Sequence, residues 1–313
     1  MPATIVVAER QRRLTALLIA ATIAVTGAAC HTHPAAGGRS VTDMLGRSLA
    51  VPERPRRVVS LAPSVTEALL ALGFGDRIAG VSDFCVLPGD LARIPRVGGL
   101  LTPDFETIRG LHPDLLIGTT SGNDPGLATQ ADALGLPLYI LHTPDVAQVL
   151  ASLERLADLL GDAPRGRQLV QDLHRRLVAV ASRVADRPSP RVLFVVWAEP
   201  LVVPGSGAFL TDAIRLAGGA SVTADVPAPH PTYSIESAVS RAPEVILTTA
   251  ENAAFAAALP EDPAWAGVPA VRNGRIHVLG AEVVRPGPGV VAGIEEMAAI
   301  LHPDGAVPEA THK

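Results

Sequence analysis

The stretch TPDFETIRGLHPDLLIGTT at 102–120 returns as HPTYSIESAVSRAPEVILTTA at 230–250. Glu106 falls on Glu236, Pro113 on Pro243, Asp114 on Glu244, and Leu115-Leu116-Ile117 on Val245-Ile246-Leu247. In each copy a short helix that opens with a carboxylate leads into an apolar run suited to a buried strand. A second echo lies upstream: Thr66-Glu67-Ala68-Leu69 before Gly73, against Thr211-Asp212-Ala213-Ile214 before Gly218. One fold used twice restricts the chain to two related units in tandem. The 313 residues suffice for two cores. The offset between copies falls from 145 to 130, which gives the first half about 15 extra residues, roughly Asp76 to Leu100.

Within each half, short apolar runs alternate with helical patterns, predicting an α/β class. Strands are expected at Val58–Leu61, Leu115–Ile117, Leu138–Leu141 and Val192–Val196. Ser64-Val65-Thr66-Glu67 has the form of a capping box opening a helix Glu67–Leu72, with Gly73 closing it. An amphipathic helix is expected over Pro144–Leu160, stopped by Gly161. A longer one follows from Asp162 and Pro164 to Asp186-Arg187-Pro188, with Leu169, Leu173, Leu177, Val180 and Val184 on one stripe. Its ~23 residues would span about 34 Å, enough to brace both halves. The expected division is 56–161 for the first lobe, 162–187 for the connecting helix, 188–303 for the second lobe and 304–313 for a tail.

The first 29 residues read as an export signal. Arg10, Arg12 and Arg13 precede the apolar run Leu14–Val25, and small residues follow up to Cys30. Ala28-Ala29-Cys30 resembles a bacterial lipobox, which makes Cys30 the expected lipidation point and the membrane anchor. Residues 31–40 read as a flexible tether within a lead-in at 30–55, and His31 and His33 in it as incidental. Cleavage would leave Cys85 without a disulfide partner.

A net charge of −5 with no basic block argues against nucleic acid as a partner. The chain has no G-x-S-x-G and no H-E-x-x-H, and Gly73, Gly75 and Gly80 lack dinucleotide-fingerprint spacing. Ser206 in PGSGAF reads as a turn residue, and none of the nine histidines forms a ligand pair at helical spacing. A cleft hydrolase or metalloenzyme is the weaker class. Glu106 and Glu236 each suit a helix first turn. Their placement at one point of both repeats adds a reading the dipole does not supply: two symmetric charges fit a two-fold partner with paired arginines.

Several motifs in order carry a family likeness: RRVVSLAPSVTEALLALGFGDRIAGVSDFCVLP (56–88), IPRVGG (94–99), FETIRGLHPDLLI (105–117), DPAWAGVPAVRNGRIHVLG (262–280) and RPGPGVVAGIEEMAAILHP (285–303). Across 56–303 the chain resembles the solute-binding proteins of vitamin B12 and iron-siderophore importers, the cobalamin-binding branch most of all. The resemblance implies two similar α/β lobes joined by a rigid helix, the class III arrangement, with ligand in the cleft between lobes. It implies no enzymatic activity and no covalent cofactor. The cargo would be a corrinoid or related metal chelate, with haem or a ferric siderophore as the alternative. Partners would be an ABC importer permease, a homodimer, with its ATPase, and Glu106 and Glu236 fall on the family's docking glutamates.

Loops after the strands would supply the cleft: Pro63, Ser64, Phe84, Cys85, Leu100, Thr119 and Asn123 from the first lobe. Trp197, Gly205, His230, Tyr233 and Arg285 would come from the second. Phe84, Trp197 and Tyr233 are the candidate ring-stacking faces. Aromatics typical of such clefts are replaced at Leu100, Thr119 and His230, and Gly289 stands where an arginine is expected.

Overall fold

The computed structural model describes residues 38–303. The export signal, Cys30 and the tail lie outside the described residues. The described residues open with an antiparallel hairpin, β1 (Gly38–Thr42) and β2 (Ser48–Pro52). Residues 38–40, expected as the end of a flexible tether, are therefore strand. The hairpin turn is anchored on the first lobe: Met44 N–H donates to the Ile140 carbonyl, and Arg47 Nη2 donates to the Leu138 carbonyl at 2.8 Å. Arg47 also pairs at 2.8 Å with the fully buried carboxylate of Asp43.

The first lobe runs β3 (Val58–Ser60), α1 (Pro63–Ala71), β4 (Ile78–Val81), α2 (Phe105–Gly110), β5 (Leu115–Thr119), α3 (Leu127–Ala133) and β6 (Leu138–Leu141). Then come α4 (Val146–Leu159) and α5 (Ala163–Val184). The second lobe runs β7 (Arg191–Phe194), α6 (Phe209–Leu216), β8 (Ala220–Ser221), α7 (Ile235–Ser240), β9 (Val245–Thr249), α8 (Ala253–Ala258), α9 (Pro269–Arg272), β10 (Ile276–Leu279) and α10 (Val290–Leu301). The sheets are ordered β4-β3-β5-β6 and β8-β7-β9-β10, both parallel throughout. In each lobe the second strand stands outermost, then the first, third and fourth, so the sequence repeat is a topological one. Every residue of β5 and β9 is buried, as parallel strands covered on both faces must be.

The repeat extends to single torsions. His112 (φ 47°) and Ala242 (φ 45°) adopt the left-handed conformation at equivalent points just before the third strand. Non-glycine residues adopt it at a cost, and here both copies keep it. One residue pair on, Asp114 accepts from the Arg56 and Arg57 amides at 2.7 and 3.0 Å, and Glu244 accepts from the Arg191 amide at 2.7 Å. These bonds tie the end of α2 or α7 to the start of the lobe's first strand.

Three local readings change. Ser64 is not a cap: α1 starts at Pro63, with Ala62 extended before it and no side-chain cap. Proline's fixed φ suits the first helical position, which draws Ser64 and Thr66 inside the helix, both buried. The Thr66 hydroxyl instead donates to Ser60 Oγ at 2.7 Å. The helix expected from Pro144 begins at Val146, capped by Asp145, which accepts from the Gln148 amide at 2.7 Å. A second length difference also emerges: β3 reaches α1 through Leu61 and Ala62 alone, while β7 reaches α6 through residues 195–208.

Helix α5 places Leu173 and Val180 in the core, with Leu169, Leu177 and Val184 packed beside them. Along its 22 residues it meets α4 of the first lobe and α6 and α10 of the second. Arg176 clamps Glu295 of α10 through two hydrogen bonds of 2.8 and 2.6 Å, which lowers the carboxyl pKa and raises the guanidinium. No described helix is long and apolar enough to cross a membrane.

Candidate functional site

In parallel α/β sheets the loops leaving the carboxyl ends of the strands form the natural ligand crevice. Two asparagines set these loops. Asn123 accepts from the Thr119 amide at 2.9 Å and donates to the Leu61 and Leu100 carbonyls at 3.0 and 2.9 Å, joining the loops after β3, β4 and β5. Asn252 performs the same task in the second lobe, accepting from the Ala198 amide at 3.0 Å and donating to the Val196 carbonyl at 3.1 Å. The sequence singles out Asn123 as a cleft residue rather than as a link between loops, and does not single out Asn252. The signal was available, because Thr119 and Thr249 end equivalent strands.

These loops carry unusual apolar exposure. Phe84 is 61% exposed, Leu101 64% and Trp197 52%, with Val86 more open still. Single exposed apolar residues are ordinary, but these four all sit on strand-end loops, three in the first lobe and one in the second. Trp197 is fixed in place: its indole N–H donates to the Glu199 carbonyl at 2.8 Å, and its backbone pairs with Val202. Val202 pairs in turn with Thr232, next to the half-buried Tyr233.

The other predicted site residues divide by position. Pro63, Leu100, Asn123 and Arg285 are half-buried. His230 is exposed, yet surrounding protein displaces enough water to lower its imidazole pKa. Ser64, Cys85, Thr119 and Gly205 are buried. The Cys85 thiol lies 3.2 Å from Thr66 Oγ1 and 3.4 Å from Ser82 Oγ, so it packs between hydroxyls. Among the described residues no group of three or more His, Cys, Asp or Glu side chains is placed to hold a metal ion.

Gly205 has a backbone reason to be glycine. A β-carbon there would collide with the Ala228 carbonyl and come within 2.7 Å of the Val226 carbonyl. Backbone oxygens cannot swing aside as a side-chain tip can. Gly205→Ala is expected to cost about 1–3 kcal/mol in urea unfolding and to displace 226–229, the lead into His230. A variant of unchanged stability would refute this packing account.

One pair crosses between the lobes. Arg285 Nε, on the loop after β10, lies 2.8 Å from Glu67 Oε1 on α1, and its Nη2 lies 4.0 Å from Glu282. Burial pushes the Glu67 carboxyl above its usual range, against the pull of Arg285 and with a smaller push from Glu282.

On the outer surface, Glu106 and Glu236 are both exposed in the first turns of α2 and α7. Their helices start alike. Asp104 caps α2 through the Glu106 and Thr107 amides, and Ser234 caps α7 through the Ser237 amide. Neither glutamate forms an ion pair among the described residues. An open recess lined by Phe105, Arg109, His112 and Leu134 adjoins Glu106.

With this geometry, residues 58–283 match the family described as periplasmic binding protein. The chain belongs to that family. It is 29% identical over 258 residues to a vitamin B12-binding protein of Vibrio cholerae, covering 81% of this chain and 91% of the relative. A relative of the same name from Yersinia pestis is 26% identical over 212 residues, 67% of this chain and 76% of its own. Among solved structures, the periplasmic vitamin B12 binding protein BtuF of Vibrio cholerae superposes with a TM-score of 0.71 at 28% identity, covering 80% of this chain and 98% of that one. A periplasmic heme binding protein from Pseudomonas aeruginosa gives 0.71 at 27%, covering 80% and 94%. These are two-lobed binding proteins, and this chain has their fold.

Proposed function

We propose that this chain is an extracytoplasmic solute-binding protein that captures a corrinoid, or a related metal chelate, for an ABC importer. The observation that carries the reading is the apolar rim of Phe84, Leu101 and Trp197 on strand-end loops of both lobes. Relatives named for vitamin B12 binding support it. In this reading the ligand lies between the lobes, with Trp197 and Phe84 on its ring faces and Leu100, Tyr233 and His230 around them. Asn123 shapes the loops from behind. The ligand is held non-covalently and no reaction is catalysed. Cys30 carries the lipid that keeps the exported protein at the membrane, and Glu106 and Glu236 engage the two subunits of a homodimeric permease that works with its ATPase.

A haem-binding reading has its own support in the likeness to the Pseudomonas aeruginosa protein. Calorimetric titration with cyanocobalamin, haemin and a ferric siderophore separates the two, with cyanocobalamin expected to bind tightest. Trp197→Ala should weaken that binding about tenfold or more, since a stacked aromatic face contributes about 0.5–1.5 kcal/mol beyond its buried area. Absence of cyanocobalamin binding, or a Trp197→Ala variant with unchanged affinity, would refute the assignment.

A further inference from the structure

Arg285 is surrounded by carboxylates. Glu67 reaches it from the first lobe at 2.8 Å, and Glu282 stands 4.0 Å away on its own lobe. Glu251, in the turn after β9, has its carboxyl pKa lowered mainly by a hydrogen bond from Thr249 and least by Arg285. The backbone reserves this arrangement. A β-carbon on Gly289 would lie 2.9 Å from the Glu282 β-carbon, and one on Gly280 2.6 Å from Glu282 Oε2. A β-carbon on Gly287 would lie 3.4 Å from Glu67 Oε2. Of these only the Gly289 contact is with an atom that cannot swing aside, so Gly289 leaves room for Glu282. Both partners of the crossing pair are only about 30% exposed, with Arg285 at 28% and Glu67 at 30%. Water therefore screens them less than it would a surface pair.

An arginine in a binding crevice ordinarily receives an anionic arm of the ligand, because its planar fork matches a carboxylate or phosphate. Here the guanidinium is held as an ion pair by Glu67, 2.8 Å from its Nε, with Glu282 4.0 Å from Nη2, so two carboxylates share its charge. We propose that Glu67 is a specificity-determining residue: by occupying Arg285 across the cleft, it makes the site discriminate against chelates with free carboxylate arms and favour those with neutral amide arms. This rests on the functional reading above and sharpens it from a metal chelate to a chelate with an uncharged periphery. The discrimination is repulsive as much as attractive, since a carboxylate that pairs with Arg285 must displace Glu67 and share the arginine with Glu282.

The probes are cyanocobalamin and its separated monocarboxylic acids, in which one side-chain amide has become a carboxylate, so that shape is kept and only charge changes. The readout is the ratio of Kd for each acid to Kd for the amide. In the unsubstituted protein the ratio should exceed one for every acid. Glu67→Gln, which keeps the size of the side chain and removes its charge, should lower the ratio about tenfold for at least one acid, as the freed guanidinium gains a charge-assisted partner. Glu282→Gln should shift it the same way by less, and keeps the inference testable if Glu67→Gln does not fold. Arg285→Gln should raise it. Ratios in Glu67→Gln and Glu282→Gln within about twofold of the unsubstituted protein would overturn the inference while leaving corrinoid binding intact. A protein that binds neither the amide nor the acids would refute the functional reading, and the inference with it.

Discussion

A chain carrying Glu106→Ala and Glu236→Ala together should bind its ligand as tightly as before and deliver almost none of it. Both carboxylates are exposed and form no ion pair among the described residues, so their removal breaks no internal contact. Both helices keep their caps, Asp104 and Ser234. Neither residue lies on a strand-end loop, so the ligand surface stays intact. The size of the effect follows from what docking does to a charge. An exposed ion pair is worth about 0–1 kcal/mol, and losing one would scarcely slow uptake. A hydrogen-bonded pair desolvated in an interface costs about 2–5 kcal/mol when one partner is removed. Two such losses, one for each permease subunit, should abolish productive encounter. Each single variant should fall between. Uptake by cells or reconstituted vesicles, set beside calorimetric Kd values, checks the expectation. Undiminished uptake by the double variant would remove Glu106 and Glu236 from the docking surface.

The second large effect concerns Trp265. Its side chain is wholly buried and meets Phe255 edge-on, ring centres 6.0 Å apart at 82°. It belongs to a cluster with Leu193 and Val195 at the end of β7 and with Leu201 and Val203 of the 195–208 loop. Ala198, next to Trp197, and Tyr233 pack against that cluster. Trp265→Ala should cost about 3–5 kcal/mol, a large share of the 5–15 kcal/mol typical of whole domains. It should also loosen the Trp197 loop. Trp265→Phe should cost far less. The indole N–H is buried and finds no acceptor among the described residues, so the folded state already bears a desolvation penalty of about 1–3 kcal/mol. Phenylalanine removes that penalty while keeping most of the ring. Urea unfolding of both variants decides the matter. A Phe variant as unstable as the Ala variant would mean that the N–H has a partner, such as a buried water.

The repeat was legible because it is written in residues whose roles are local. Asp114 and Glu244 hold backbone amides, Glu106 and Glu236 open helices, and the apolar triplets fill strands buried on both faces. Each role ties a residue type to a position, and the matching left-handed torsions at His112 and Ala242 follow from the same local frame. The cap of α1 was misread because two local signals conflict there, and the proline outranks the serine. The 195–208 insertion was hidden because the repeat aligns helices and strands, whereas loop length costs little free energy and leaves no periodic trace. Within the site, Phe84 and Trp197 could be placed from the strands they follow. The Glu67–Arg285 pair could not, since it joins segments far apart in sequence.

The β1–β2 hairpin precedes the first residue of the family match, yet it meets the fold at a vulnerable place. β6 ends the first sheet, and an outermost strand offers unpaired amides and carbonyls to any chain that drifts past. The hairpin turn takes up the Ile140 and Leu138 carbonyls of that strand, and Arg39 reaches across to the Asp158 carbonyl at 2.7 Å. The hairpin thus covers part of an edge that would otherwise be open to pairing.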